Sequence, residues 1–302
     1  MNHSPPPPAA TVPAPGAQPS DRLRKLAIAA TALAVCFSVP LFELVKFALQ
    51  SDLYSHVLLI PFLSVYLLWS QRLAIVGRSA PDYATAAVFI AVGLLTLGFS
   101  VASTRATSSL AIDDYLAGRM LSFVFFLLGT AALILGRQSL RAVAFPLGFL
   151  IFMVPFPTGM RSGLELFLQH GSAQSALMLF HLAGTSVFYN DLLFQLRGIN
   201  LEVAPECSGI HSSLALFITS VVAGHFFLPS RLKCIVLSLA VIPLALLRNG
   251  FRIFTLGELC VHVRPEMIDS YIHHHGGPIF FVLSLIPFFF LLRFLHKTTP
   301  AR

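Results

Sequence analysis

Apolar residues in this chain fall in long runs, separated by short stretches that hold most of the charge. Eight runs stand out, at about 26–49, 56–71, 84–102, 116–136, 142–157, 207–228, 234–256 and 277–295. A bilayer core takes about 20 apolar residues as helix, so these runs read as membrane spans by length. The pattern predicts an all-α fold, a polytopic transmembrane helix bundle of about eight spans. Between spans five and six lies a more polar stretch, 158–206. Within it, residues 161–188 show helical spacing of Leu164, Leu166, Phe167, Leu177, Leu179 and Phe180 with mixed polarity. This predicts one or two interfacial or re-entrant helices. Residues 191–204 instead alternate, through Leu193, Gln195, Arg197, Ile199, Leu201 and Val203. That predicts a short hairpin or extended segment packed over the membrane. Residues 1–20 are Pro/Ala-rich without periodicity and read as a disordered tail rather than a signal peptide. Residues 21–302 then form the transmembrane domain, with 158–206 as its outer-face segment.

Composition supports this reading. Of 302 residues, 56% are hydrophobic and only 11% charged, too few charges to cover a soluble domain of this size. The net charge of +7 raises nucleic acid as a partner. The distribution of the basic residues argues against it: they sit in small groups between apolar runs, as topology signals do. Arg22, Arg24 and Lys25 precede the first run, and Arg72 and Arg78 follow the second. Arg137 and Arg141 separate the fourth and fifth, and Arg231 and Lys233 the sixth and seventh. Arg293, Lys297 and Arg302 close the chain. If each run crosses once, all of these share one side, which the positive-inside rule makes the cytoplasm. Both termini are then cytoplasmic. Residues 158–206, the start of the sixth run and the 257–276 loop face outward.

Three features on that outer side carry chemistry. Cys36, Cys207, Cys234 and Cys260 form no CxxC pair. Cys36 and Cys234 read as small packing residues. Cys207, in Pro205-Glu206-Cys207-Ser208-Gly209-Ile210, is expected at a helix N-terminus, where the dipole and unpaired N–H groups favour the nucleophilic thiolate. In Leu247-Arg248-Asn249-Gly250-Phe251-Arg252-Ile253, two arginines share a helix face inside an apolar run. Such charges are expensive unless paired, hydrated or functional. A guanidinium that never loses its proton is a steady donor to an oxyanion or carboxylate, and snorkelling to headgroups is the alternative. The beside-lying Asn249 and Gly250 argue for a shaped polar pocket. Last come His273, His274 and His275, followed by Gly276-Gly277-Pro278. Histidine is the usual general acid/base near neutral pH, but three in a row cannot all face one site. Glu258, Cys260 and His262 match no established zinc spacing, so neither a metal nor another cofactor is expected. His170, His181, His211 and His225 read as interface or packing residues, and Asp113 and Asp114 as solvated loop residues.

These residues resemble the exosortase/archaeosortase family of polytopic membrane transpeptidases. Asp52-Leu-Tyr-Ser-His56 with Val57-Leu-Leu-Ile-Pro61 and Tyr66-Leu-Leu-Trp69 resembles its second-span signature. Residues 145–157, from Phe145 to Pro157, resemble its fifth-span segment. Glu206-Cys-Ser-Gly-Ile210, Asn249-Gly-Phe-Arg-Ile253 and His273-x-x-x-Gly277 resemble its cysteine, arginine and histidine motifs. The matches run in order from about residue 50 to 295. The resemblance implies a Cys–Arg–His site at the outer face, with Cys207 as nucleophile and Arg252 as the motif arginine. His273 is the histidine by its spacing to Gly277. Arg248, Asn249, His274 and His275 remain supporting candidates. It further implies exported substrate proteins that carry a C-terminal motif, often Pro-Glu-Pro, then a span and a basic cluster. Cleavage near the motif is followed by transfer to an acceptor, a lipid or polysaccharide component. The implied location is a bacterial inner membrane with the site facing the periplasm.

Two other classes of function compete. Intramembrane arginines and broken helices also suit a transporter or channel, although no inverted repeat is visible. A non-catalytic component of exopolysaccharide export is the other, and it would tolerate Cys207→Ser.

Overall fold

The computed structural model describes residues 19–72, 75, 80–106, 111–264 and 277–297. These fold as two units, Met1–Gln50 with Val57–Pro155, and Ser51–His56 with Phe156–Arg302.

The first unit holds α1 (Pro19–Cys36), α2 (Ser38–Gln50), α3 (Leu59–Ser70), α4 (Tyr83–Ala106), α5 (Ile112–Ala142) and α6 (Ala144–Phe149). The first apolar run is broken: α1 and α2 meet at Phe37 with a 79° bend. Pro40 supplies the cause, since its ring nitrogen cannot bond the Cys36 carbonyl four residues back and its ring crowds that carbonyl. α4 and α5 pack closely, because a Cβ on Gly129 would lie 2.7 Å from Ile90 and one on Gly118 2.7 Å from Ser100. Small residues let membrane helices approach, and polar pairs join them; here Thr96 and Ser122 hydroxyls hydrogen-bond at 2.9 Å. The Arg22 guanidinium donates to the Leu135 carbonyl at 2.7 Å, tying α1 to α5. Asp113, expected as a solvated loop residue, is buried in the first turn of α5. The 142–157 run yields only six-residue α6 and a 3-10 turn, Leu150–Met153. The prolines at 155 and 157 stop it before it reaches the length of a span.

The second unit holds α7 (Thr158–Ala183), strands β1 (Phe188–Asn190), β2 (Leu193–Leu196) and β3 (Ile199–Glu202), then α8 (Ile210–Phe227), α9 (Arg231–His262) and α10 (Gly277–Lys297). The polar 158–206 stretch is therefore one long helix and a small sheet. The sheet departs from an all-α fold only locally. Its order is β1-β2-β3, antiparallel throughout, with Phe194 opposite Leu201. Burial alternates along it: Phe194, Leu196, Leu201 and Val203 are buried, whereas Gln195, Asn200 and Glu202 are exposed. The buried set packs with Phe180 of α7 and with Ile253, Leu256 and Cys260 of α9. α7 and α9 approach closely enough that a Cβ on Gly250 would sit 2.5 Å from the Ser175 Cβ. α8, α9 and α10 share a second core around Leu216, Leu237, Val241 and Phe288.

Among the described residues, five helices, α4, α5, α8, α9 and α10, are long and apolar enough to cross a membrane, and up to seven spans result if two broken pairs each count as one. Residues Ser55–Ser70 form a shorter apolar helix. About eight spans were expected, so the eight apolar runs do not each become one full-length helix. Large apolar side chains such as Phe99, Leu95 and Phe290 point outward, as lipid-facing residues do. The chain is a multi-pass membrane protein.

Candidate active site

Chain geometry first places Cys207. It closes a 3-10 turn, Pro205–Cys207, two residues ahead of Gly209, the N-cap of α8. The sequence pattern set Cys207 at the start of the helix itself. The helix begins instead at Ile210, because Gly209 adopts a left-handed φ of +72° that redirects the chain. Contacts to α9 therefore replace the helix dipole as the main feature of the cysteine's surroundings.

Two neighbouring α9 residues hold this turn. The Asn249 side-chain amide donates to the Cys207 carbonyl at 2.7 Å. The Arg248 guanidinium donates to the Gly209 carbonyl at 3.3 Å and to the Ser213 hydroxyl at 3.1 Å. Ser213 reinforces the same point, as its backbone amide and hydroxyl reach the Gly209 carbonyl at 3.0 and 2.7 Å. Gly209 has no room for a side chain: a Cβ there would lie 3.0 Å from the Asn249 Cγ and Oδ1 and 3.3 Å from the Arg248 Nη2. Asn249 and Arg248 are buried, so these bonds form where water competes little. From the other side, the Gln169 amide on α7 donates to the Val203 carbonyl at 2.9 Å, fixing the strand that leads into the turn.

A cavity of about 20 Å³ is lined by Cys207, Asn249, Arg252, Ile253 and Leu256 of the turn and α9, and by Leu201, Glu202 and Val203 of β3. Arg252 also lines a wider groove of about 840 Å³, with Asp52, Arg161, Glu165, Pro205, His211, Gly277 and Phe281 among the other walls. Arg252 is thus common to the pocket beside the cysteine and to the groove. The Arg161 and Glu165 side chains of the groove pair at 3.7 Å.

The structure brings together Cys207, Asn249 and Arg252, while Arg248 acts from behind the turn. His273, His274 and His275 lie outside the described residues; Gly277, the glycine of their motif, lines the groove. Arg248 and Arg252 lie well inside their helix rather than at its end. α9 runs to His262, so its 32 residues span about 48 Å, more than the roughly 30 Å of a bilayer core. Its last third packs under the sheet through Ile253, Leu256 and Cys260.

Gln169 and Ser213 do not stand out in the sequence. Alternation of 191–204 over a helix was the one signal that pointed to Gln169, whereas Ser213 had none beyond lying near Cys207. His211, read as a packing or interface residue, lines the groove. His170, read as an interface or packing residue, meets Asp191 at 3.0 Å and ties the β1–β2 turn to α7. Cys234 lies 3.2 Å from the Gly224 carbonyl in the α8–α9 contact. Glu258 pairs with His262 at 3.1 Å and accepts from the Thr185 hydroxyl, while Cys260 turns into the core.

Residues 48–290 match the profile of a family described as transmembrane exosortase. No curated protein and no solved structure matches the chain.

Proposed function

The chain belongs to the transmembrane exosortase family, and on that premise we propose that it is a membrane-embedded cysteine transpeptidase acting on exported proteins. The observation that carries the reading is the shared cavity of Cys207, Asn249 and Arg252. A nucleophile, a permanent cation and a fixed amide beside one small space suit acyl transfer.

The proposed reaction has two steps. The Cys207 thiolate attacks the scissile carbonyl carbon, and the oxygen takes up negative charge. Arg252 donates to that oxyanion. The C–N bond then breaks, a histidine of the 273–275 run gives its proton to the leaving amine, and a thioester remains on Cys207. An acceptor nucleophile loses its proton to the same histidine and attacks the thioester, and the C–S bond breaks to restore the Cys207 thiolate and the protonated histidine. His273 is the favoured histidine. Asn249 and Arg248 are positioning residues, because they hold the turn that bears Cys207 rather than the reacting atoms. His273 is four positions from Gly277 in the groove wall, a tether of at most about 14 Å.

The substrates in this reading carry a C-terminal motif, a membrane span and a basic cluster, and the acceptor is a lipid or polysaccharide component. The basic groups between the apolar runs support cytoplasmic termini and a site on the periplasmic side of the inner membrane. Processing of a co-expressed reporter with such a C-terminal signal tests the proposal. Cys207→Ala abolishes processing if it is right; unimpaired processing ends the cysteine mechanism. Single replacements of His273, His274 and His275 identify the acid/base, and full activity in all three would remove histidine from the scheme. Mass spectrometry of the new C-terminus separates transfer from hydrolysis, and solute flux in vesicles would signal a transporter.

A further inference from the structure

We propose that the outer edge of β3 is the docking site for the substrate polypeptide, which adds to the sheet as a fourth, extended strand and so brings its scissile carbonyl to Cys207. This rests on the transpeptidase reading above. β3 is the last strand in the order β1-β2-β3, so one of its edges faces away from the sheet. The register fixes which groups point there. The Val203 amide donates to the Leu192 carbonyl at 2.9 Å, in line with the pairs Leu193↔Glu202 and Phe194↔Leu201. Antiparallel ladders alternate between bonded and non-bonded pairs. Residues 199, 201 and 203 therefore bond to β2, and Asn200 and Glu202 turn their N–H and C=O groups outward. Among the described residues, no other hydrogen bond engages those outward groups.

The edge also borders the cysteine's space. Leu201, Glu202 and Val203 line one cavity with Cys207 and Arg252. Successive strand side chains point to opposite faces. The cavity lies between β3 and α9, and its lining takes in the outward-facing Glu202 as well as the buried Leu201 and Val203, so it reaches the strand's main chain. The chemistry of the occupant follows. Paired donors and acceptors repeating every two residues, about 6.8 Å, match an extended peptide backbone. The strand is held firmly enough to act as a template: Leu201 and Val203 are buried against α9, and Gln169 anchors the Val203 carbonyl. Backbone pairing leaves side-chain selection to the neighbouring groove, where Arg252 is again a wall residue.

The test uses the full chain in membranes with the co-expressed reporter. Proline at an edge position removes an outward N–H without breaking the ladder to β2. Glu202→Pro is expected to process at least about tenfold more slowly than Glu202→Ala, which keeps that N–H, at equal amounts of inserted protein. Equal rates for the two variants overturn the proposal. Hydrogen exchange of the Cys207→Ala protein, with a synthetic peptide spanning the reporter's cleavage site, gives a second readout that needs no proline variant. Exchange in residues 199–203 is expected to slow at least about tenfold on peptide addition. Unchanged exchange at saturating peptide, or protection that appears without peptide and grows with protein concentration as two copies pair, overturns it. If Cys207→Ala is inactive while Glu202→Pro matches Glu202→Ala, this inference alone fails. If Cys207→Ala still processes the reporter, the reading beneath it fails.

Discussion

Replacing Gly209 by alanine perturbs the turn that bears Cys207 in two separable ways. The first is conformational. Gly209 has φ +72°, and an L-residue in the left-handed region costs about 1–2 kcal/mol. The second is contact. The new Cβ would lie 3.0 Å from the Asn249 Cγ and Oδ1 and 3.3 Å from the Arg248 Nη2, tighter than ordinary packing. Asn249 must then shift, which loosens its 2.7 Å bond to the Cys207 carbonyl. Loss of that bond adds about 1 kcal/mol. Together the two effects come to about 2–3 kcal/mol, or roughly a 30- to 150-fold slower reaction if the strain is felt at the nucleophile. Gly184→Ala is the internal control. Its φ is +74°, yet nothing lies within 4 Å of the added Cβ. It bears the backbone penalty at the end of α7 without touching the site. The assay is reporter processing per folded molecule. Gly209→Ala should fall by the stated factor, and Gly184→Ala should stay within about twofold of the parent, since its strain acts on stability and not on the nucleophile. Equal processing by the two variants would refute the argument that Asn249 and Arg248 position Cys207 through this turn.

Arg252→Lys keeps the charge but loses the planar fork; processing should drop about 10²- to 10³-fold at unchanged membrane yield, read by reporter cleavage and immunoblot. Gly250→Ala puts a Cβ 2.5 Å from Ser175 Cβ and 2.9 Å from the Ser172 carbonyl, so α7 and α9 must part; thermal unfolding in detergent should shift down clearly, whereas Gly163→Ala, with open space around it, should not. Asp82 accepts hydrogen bonds from the Thr85 amide and hydroxyl just before α4, which hold its carboxyl below the usual carboxylate range. A lowered folded value means the contribution is full above the unfolded value near 3.9 and fades as pH falls through the folded one. Protection of the first α4 amides from hydrogen exchange, taken relative to the intrinsic exchange rate at each pH, should therefore be steady from about pH 7 to 5 and fall only below about pH 4, and Asp82→Ala should remove that step.

Much of the membrane architecture was legible because transfer to lipid depends on runs of side chains, and runs are local. Bends were harder to see. Pro40 broke the first run and the prolines after Met153 cut the fifth short, although the hydropathy of both runs stayed high. Alternation at 191–204 foretold extended chain but not three strands, since β1 is only Phe188–Asn190. At the site, Cys207 and Arg252 stood out by residue type in an apolar setting. Asn249 and Arg248 could be flagged but not assigned, because their partners lie 42 and 39 residues away in the chain. The length of their helix was hidden for a related reason. Hydropathy falls after residue 256, yet α9 continues to His262 because the sheet covers it.

A covalent intermediate tests the central claim most directly. The protein is mixed with the cleavage-site peptide, quenched in acid and digested, and each cysteine peptide is weighed. The account predicts an acyl adduct on Cys207, carrying the part of the substrate N-terminal to the cut and released by hydroxylamine as a thioester is. An adduct on Cys234 or Cys260 instead, or substrate cleavage with Cys207 never acylated under conditions that slow release, would contradict it.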